Sequence, residues 1–188
     1  MYQGVSKKLE SAQLFARDKH SGMTRDDGKT PYWKHCEGVV NRLKNLGITD
    51  EDVLCAAWLH DIIEDTDATF DDIEQRFGSN IAVMVLSLSK DPKLSKKEKE
   101  RQYIEQLKIA PWQAHLIKLC DIASNLKDMK DSTWSKSKKK KYVKKKLYNL
   151  TIMKQGLTQN KTKVPGIQRI IDGINDVLKS YGQKPFTF

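Results

Sequence analysis

His60-Asp61, followed one helical turn later by Glu64-Asp65, sets an imidazole and three carboxylates into the run Ala56-Ala57-Trp58-Leu59-His60-Asp61-Ile62-Ile63-Glu64-Asp65-Thr66. On a continuous helix Glu64 shares a face with both His60 and Asp61, and Asp65 lies beside Asp61. Such a cluster at the end of an apolar run is costly to desolvate unless a cation or ligand offsets it. The pattern therefore points to half of a metal site.

A hard divalent ion needs further ligands, and two other positions offer them. His35 follows Pro31-Tyr32-Trp33-Lys34, in the first turn or two of a helix next to a loop. Asp121 ends Ile117-Lys118-Leu119-Cys120, again a carboxylate inside an apolar helix, and Asn125 follows one turn later on the same face. Two imidazoles and two carboxylates make a mixed nitrogen and oxygen set that leaves positions for water. It suits manganese, iron, magnesium or zinc more than a closed structural zinc site. Any one of these residues alone would pass for a hydrogen-bonded core residue; the three segments together are harder to explain as core filler. His20 and His115 lack this context and read as structural or exposed, and Cys36 and Cys120 as small apolar packing residues.

The elements that must position these groups all read as helices, giving an all-α fold with no strand alternation or hairpin turn. Leu9, Ala12, Phe15, Ala16 and Lys19 mark a first helix, and Gly22 to Thr30 is a polar loop. Pro31 suits the first turn of a second helix, with Val39, Val40, Leu43 and Leu46 as its apolar face and Gly47 as its end. Thr49-x-x-Asp52 opens the third helix as a capping box, and that helix is expected to run through His60-Asp61-x-x-Glu64-Asp65; Thr69-x-x-Asp72 and Ser95-x-x-Glu98 open two later ones. Gly78 separates a helix over 70–77 from one over 80–89, and Asp91-Pro92 breaks the chain again. Pro111 starts a long helix through Met129, the lysine-rich segment forms another, and Pro165 opens a last one ending near Gly182. No fixed-period repeat is present, so a solenoid is disfavoured.

The chain of 188 residues fits one domain over 1–188 and can bury a core without a disulfide or structural metal. Three cysteines with no C-x-x-C pair favour a reducing compartment. No stretch approaches the length of a membrane span, and Met1 to Gly4 lack a leader pattern, so a soluble, cytoplasmic protein with no membrane partner is expected. The formal net charge is +10, but Trp134 to Tyr148 holds eight lysines and no acid. The basicity is thus local, and charge-driven binding follows local patches more than overall charge.

The chain resembles the HD-domain phosphohydrolases, and within them the alarmone hydrolases of the RelA/SpoT type, including the small stand-alone hydrolases. The resemblance rests on Phe15-Ala16-Arg17-x-x-His20, Thr30-Pro31-Tyr32-x-x-His35, Leu59-His60-Asp61-x-x-Glu64-Asp65-Thr66, Phe77-Gly78 and Lys118-Leu119-x-Asp121-x-x-x-Asn125-Leu126, in order over about residues 6–130. It implies a single HD-domain helical bundle, with the helices over 134–182 packed on the motif core. It implies His35, His60, Asp61 and Asp121 as metal ligands, usually for manganese, and Glu64 and Asp65 as the acidic pair that orients or deprotonates the attacking water. It also implies hydrolysis of the 3′-diphosphate of guanosine tetraphosphate or pentaphosphate, releasing pyrophosphate. Arg25 and Lys29 would then neutralise phosphate oxygens, and Tyr32 and Asn125 contact the nucleoside.

The sequence departs from that family's pattern at two places. Met23-Thr24-Arg25 carries one basic residue where the family commonly has two, and Asp121-Ile122-Ala123-Ser124-Asn125 lacks the basic residue that usually follows the aspartate. These departures keep open another nucleotide substrate, such as an adenosine alarmone or the phosphate of NADPH. A non-catalytic nucleotide- or nucleic-acid-binding module is a third reading, set against the intact ligand set and acidic pair. In the lysine-rich segment Val143, Leu147 and Leu150 form a narrow apolar stripe, so it reads as an amphipathic helix with a solvated basic face. Steering of a polyanionic substrate comes second, and nucleic-acid binding last, because no aromatic platform accompanies the lysines. The partner class expected is a small-molecule nucleotide; the oligomeric state is left open.

Overall fold

The computed structural model describes residues 6–188, and Met1 to Gly4, read above for a leader pattern, lie outside them. The helices are α1 (Lys7–Lys19), α2 (Trp33–Asn45), α3 (Glu51–Leu59), α4 (Ile62–Asp65), α5 (Phe70–Phe77), α6 (Ser79–Leu88), α7 (Lys96–Ile109), α8 (Trp112–Asp131), α9 (Lys136–Asn160) and α10 (Ile167–Ser180). Among the described residues the only extended pairing is a bridge between Thr24 and Pro31.

Every residue of α3 from Val53 to Leu59 is buried, so this helix is apolar on all sides and has to sit at the centre. It packs against α1, α2, α6 and α8, while α8 in turn packs on α2, α6, α9 and α10. These two helices are therefore the spine on which the polar groups are mounted. Their caps follow local chemistry: Thr69 and Asp72 exchange side chain and backbone bonds in a full capping box, and Ser95 accepts from the Glu98 amide.

Three expectations about α2 and α3 need correction. The N-cap of α3 is Asp50, not Thr49, because the Asp50 carboxylate accepts from the amides of Asp52 at 2.9 Å and Val53 at 3.3 Å. Helix α2 begins at Trp33, not Pro31, because the Tyr32 amide donates to the Met23 carbonyl at 2.9 Å and Pro31 is held in the bridge to Thr24. The third helix does not run through the tetrad. It ends at Leu59, and the one-turn α4 starts at Ile62, leaving His60 and Asp61 at the break. The His60 ring supplies a cause: Nδ1 lies 2.8 Å from the Ala57 carbonyl, the group an unbroken helix would offer to the Asp61 amide.

Helix α9 buries Val143, Lys146, Asn149, Leu150, Met153 and Leu157. The stripe is rotated from the one expected: Leu147 is half-buried, and a lysine occupies a position where an apolar residue would serve packing. Further along, Gly156 lets α9 approach α8 closely. A Cβ there would stand 2.8 Å from the His115 ring carbon Cε1 and nearer still to Nδ1, while His115 Nε2 is held at 2.7 Å by the Leu107 carbonyl.

Gly156→Ala should therefore lower the thermal midpoint by several degrees, on the scale of about 1–3 kcal/mol for overpacking a filled core. Helix propensity alone would raise it, so a melting curve that moves up would refute the packing account.

Candidate metal centre

Three separate segments deliver four candidate ligands to one place. His35 lies in the first turn of α2, His60 and Asp61 at the break after α3, and Asp121 in the middle of α8, where all of His35, His60 and Asp121 are buried. Donor atoms of His35, His60 and Asp121 all fall within 4.8 Å of one another. His35 Nε2 is 3.0 Å from Asp121 Oδ1, and His60 Nε2 is 3.2 Å from Asp61 Oδ2. The crossed distances are 3.6 Å from His35 to Asp61 and 3.7 Å from His60 to Asp121. Donors set at right angles about 2.1 Å from a shared ion would lie roughly 3 Å apart, so the spacing is that of a loosely formed ligand set. Asp61 stands at its edge, where its Oδ2 also accepts the Tyr32 hydroxyl at 2.8 Å.

The donor chemistry fits a cation. Both buried Nε2 atoms face carboxylate oxygens without a well-directed hydrogen bond, a crowding of donors that a shared cation would satisfy. His60 points Nε2 inward because Nδ1 donates to Ala57. Burial opposes a charge on His60, but Asp61 and Asp121 outweigh it and push its pKa up to about 10. The two carboxylates thus demand a positive charge at that spot. His35, by contrast, is lowered, chiefly by burial, and stays neutral as a ligand must.

The acidic pair stands on the next turn. Glu64 Oε2 accepts the Lys90 amide at 3.2 Å, which fixes its direction. Asp65 is held in by partial burial and by the charge of Asp61, which together raise its pKa to about 6. Both line an open cavity of about 880 Å³ that also contains Asp61 and Asp121, a size suited to a small organic ligand.

Of the proposed substrate contacts, Arg25, Tyr32 and Asn125 line this cavity. Arg25 bonds Asn125 Oδ1 at 2.8 Å and Asp128 at 3.0 Å, and Asn125 bonds Asp121, so the three make one chain from rim to floor. Tyr32 stacks on His20 at 4.8 Å, and its hydroxyl donates to Asp61, so it braces that candidate ligand as well as facing the cavity. Lys29 is brought to no such place. It is exposed and outside the lining, because Asp27 binds the Lys29 and Thr30 amides in a tight turn that sends the side chain outward. His20, read as structural or exposed, is buried behind Tyr32; the residues missed in the sequence are Lys90, Lys118 and Lys146 in the cavity wall. Lys146 is lowered to about 8, mainly by burial; its one sequence signal was a lysine at a core-facing position of an amphipathic helix.

A family model described as HD domain matches residues 12–156. The protein of Danio rerio named guanosine-3′,5′-bis(diphosphate) 3′-pyrophosphohydrolase MESH1 is 41% identical over 133 residues, 68% of this chain and 74% of that one. Its namesake in Drosophila melanogaster is 38% identical over 142 residues, 73% of this chain and 79% of that one. A solved structure described as a metazoan ortholog of SpoT that hydrolyzes ppGpp superposes with a TM-score of 0.77 at 30% identity, covering 96% of this chain and 98% of that one.

Manganese at about a hundred times its dissociation constant should raise the thermal midpoint by several degrees, the scale of about 2.7 kcal/mol of linkage. His35→Gln should abolish that rise; a full response in the variant would remove His35 from the ligand set.

Proposed function

The chain belongs to the HD-domain family and, within it, to the guanosine-3′,5′-bis(diphosphate) 3′-pyrophosphohydrolases, and on that premise we propose how its cavity carries out the reaction. It is a metal-dependent phosphohydrolase that cleaves the 3′-diphosphate of guanosine tetraphosphate or pentaphosphate and releases pyrophosphate. One observation carries the assignment of roles: the Nε2 atoms of two buried imidazoles converge on the carboxylates of Asp61 and Asp121, and an acidic pair stands one turn away.

His35, His60, Asp61 and Asp121 would hold the divalent ion, and manganese suits their mixed nitrogen and oxygen donors. When bound, the ion supplies Lewis-acid activation of water and of a phosphoryl oxygen. Tyr32 steadies Asp61 through its hydroxyl, and Asn125 steadies Asp121. Glu64, aimed by the Lys90 amide, orients the attacking water. Asp65, with its pKa raised to about 6, is ionised at neutral pH yet basic enough to accept the water's proton. Water oxygen adds to the phosphorus next to the ribose, the bond from that phosphorus to the 3′-oxygen breaks, and the 3′-oxygen takes up a proton. Arg25, at the rim beside Tyr32 and Asn125, offers its guanidinium to phosphate and its neighbours a polar wall for the nucleoside.

Of the two departures from the family pattern, only Thr24 lies in the cavity lining. Ile122 is core, and Ser124 is buried against α2, with Arg42 Nη1 at 3.4 Å. The second departure therefore bears on helix packing and gives little support to a different substrate. Among the described residues no helix is long and apolar enough to cross a membrane, and three buried free cysteines support a cytoplasmic setting. A small nucleotide is the partner this cavity supports, in preference to nucleic acid.

Purified protein with manganese should release pyrophosphate from guanosine tetraphosphate, and Glu64→Gln or Asp65→Asn should cut kcat by at least about a hundredfold, the usual scale of general acid–base catalysis. Absence of turnover with metal bound would overturn the proposal. Because Asp65 must be ionised to accept a proton, kcat/KM should fall as pH drops through about 6 with the metal kept saturating; an acid limb near 4 would remove Asp65 from that role.

A further inference from the structure

Three lysines from three different segments line the side of the cavity nearest Asp121 and Glu64, and only the backbone of one of them takes part in the reaction as proposed. Lys90, between α6 and α7, has Nζ 3.9 Å from Glu64 Oε1 and 3.4 Å from Glu100 Oε1. Lys118, on α8, has Nζ 2.8 Å from Asp121 Oδ2. Lys146, on α9, is 9% exposed, and among the described residues no carboxylate comes within ion-pair distance of its ammonium group. Instead that group sits 4.9 Å from the centre of the Tyr142 ring, which meets Trp134 edge-on at 5.2 Å; both aromatics also line the cavity.

Nothing in helix packing asks for this lysine. Apart from Asn149, the rest of the inner stripe is apolar, made of Val143, Leu150, Met153 and Leu157. A buried ammonium without a carboxylate is unfavourable, and a cation–π contact offsets only part of the cost. Its surroundings add to the cost, since Lys118 and Lys90 are near enough to oppose its charge. The acids facing it from the packed elements, Asp121 and Asp61, belong to the candidate ligand set, so a bound metal would claim their charge. Three ammonium groups therefore converge on a volume beside the metal centre that has room for an anion. The wall is also braced: Glu100 on α7 joins Lys145 of α9 at 2.6 Å as well as Lys90.

We propose that Lys90, Lys118 and Lys146 form the subsite for the terminal phosphate of a scissile diphosphate, and that Lys146 is the specificity-determining residue that makes the cavity prefer a diphosphate to a monophosphate. This rests on the proposed function for the identity of the reacting group. The proximal phosphate lies at the ligand cluster and the terminal one against the lysines, so a substrate ending in a single phosphate leaves the subsite empty. Lys146 then keeps the unpaired charge it has in the free protein and gains nothing, whereas a diphosphate pairs it and binds the more tightly.

Calorimetry on the full chain, with and without manganese, tests this with pyrophosphate and orthophosphate as probes. The wild type should bind pyrophosphate the more tightly. Lys146→Met keeps the stripe filled and should weaken pyrophosphate about tenfold, the scale of one charge-assisted hydrogen bond, with orthophosphate changed by less than about twofold. Lys90→Met should show the same selective loss, and Lys146→Arg should keep the preference. Unchanged pyrophosphate affinity in a Lys146→Met protein whose circular dichroism matches the wild type overturns the subsite, as does an equal loss for both anions. Selective loss in a protein that turns over no guanosine tetraphosphate would support the subsite while overturning the proposed function. Where turnover is present, the variant should lose kcat/KM on guanosine tetraphosphate and keep it on the analogue with a 3′-monophosphate.

Discussion

Burying His35, His60 and Asp121 among apolar helices is the constraint to which the surrounding structure answers. Each would cost several kcal/mol if left alone in a dry interior, and they are tolerated because each supplies what another lacks. Asp121 sets its carboxylate against His35 and Lys118, and Asp61 faces His60 while accepting from Tyr32. The residual demand is for positive charge at the centre of the group, which is the demand a divalent cation satisfies. Around that concentration of charge α3 is apolar from Val53 to Leu59, and α8 adds Leu116, Ile117, Leu119, Cys120 and Ile122 beside Asp121.

The break at His60-Asp61 decides the geometry of the candidate site. A continuous helix would give up no backbone bond but would bind the tetrad to a fixed 3.6-residue spacing. Ending α3 at Leu59 lets His60 fold back on to Ala57 and lets Asp61 turn toward the two imidazoles, while α4 carries Glu64 and Asp65 to the cavity surface. The difference in setting separates their chemistry. Asp61, although burial opposes ionisation, is kept charged by His60, whereas Asp65 is raised into the range of a working base.

The lysine-rich helix has two faces with different physics. Lys138, Lys140, Lys141, Lys144 and Lys145 are exposed and keep most of their charge in water. Lys146 turns inward and joins the cavity wall with Tyr142. Net charge describes only the first of these, since an ammonium in a low-dielectric wall acts on a ligand far more strongly than one on the surface.

The amino-acid sequence by itself determined the helical class, most element boundaries, and the residue types able to hold a cation, because periodicity, caps and charged residues in apolar runs are local signals. It could not separate residues that share a type but differ in direction. Arg25 and Lys29 stand four positions apart in one loop, yet one bonds Asn125 in the cavity and the other points outward. Eight lysines lie in one segment, and one of them is in the wall. Ser124 neighbours Asn125 in sequence and faces the opposite helix. Only the tertiary structure decided these, because the direction of a side chain depends on how helices from distant parts of the chain pack, and on where a single hydrogen bond breaks a helix that local propensity would continue.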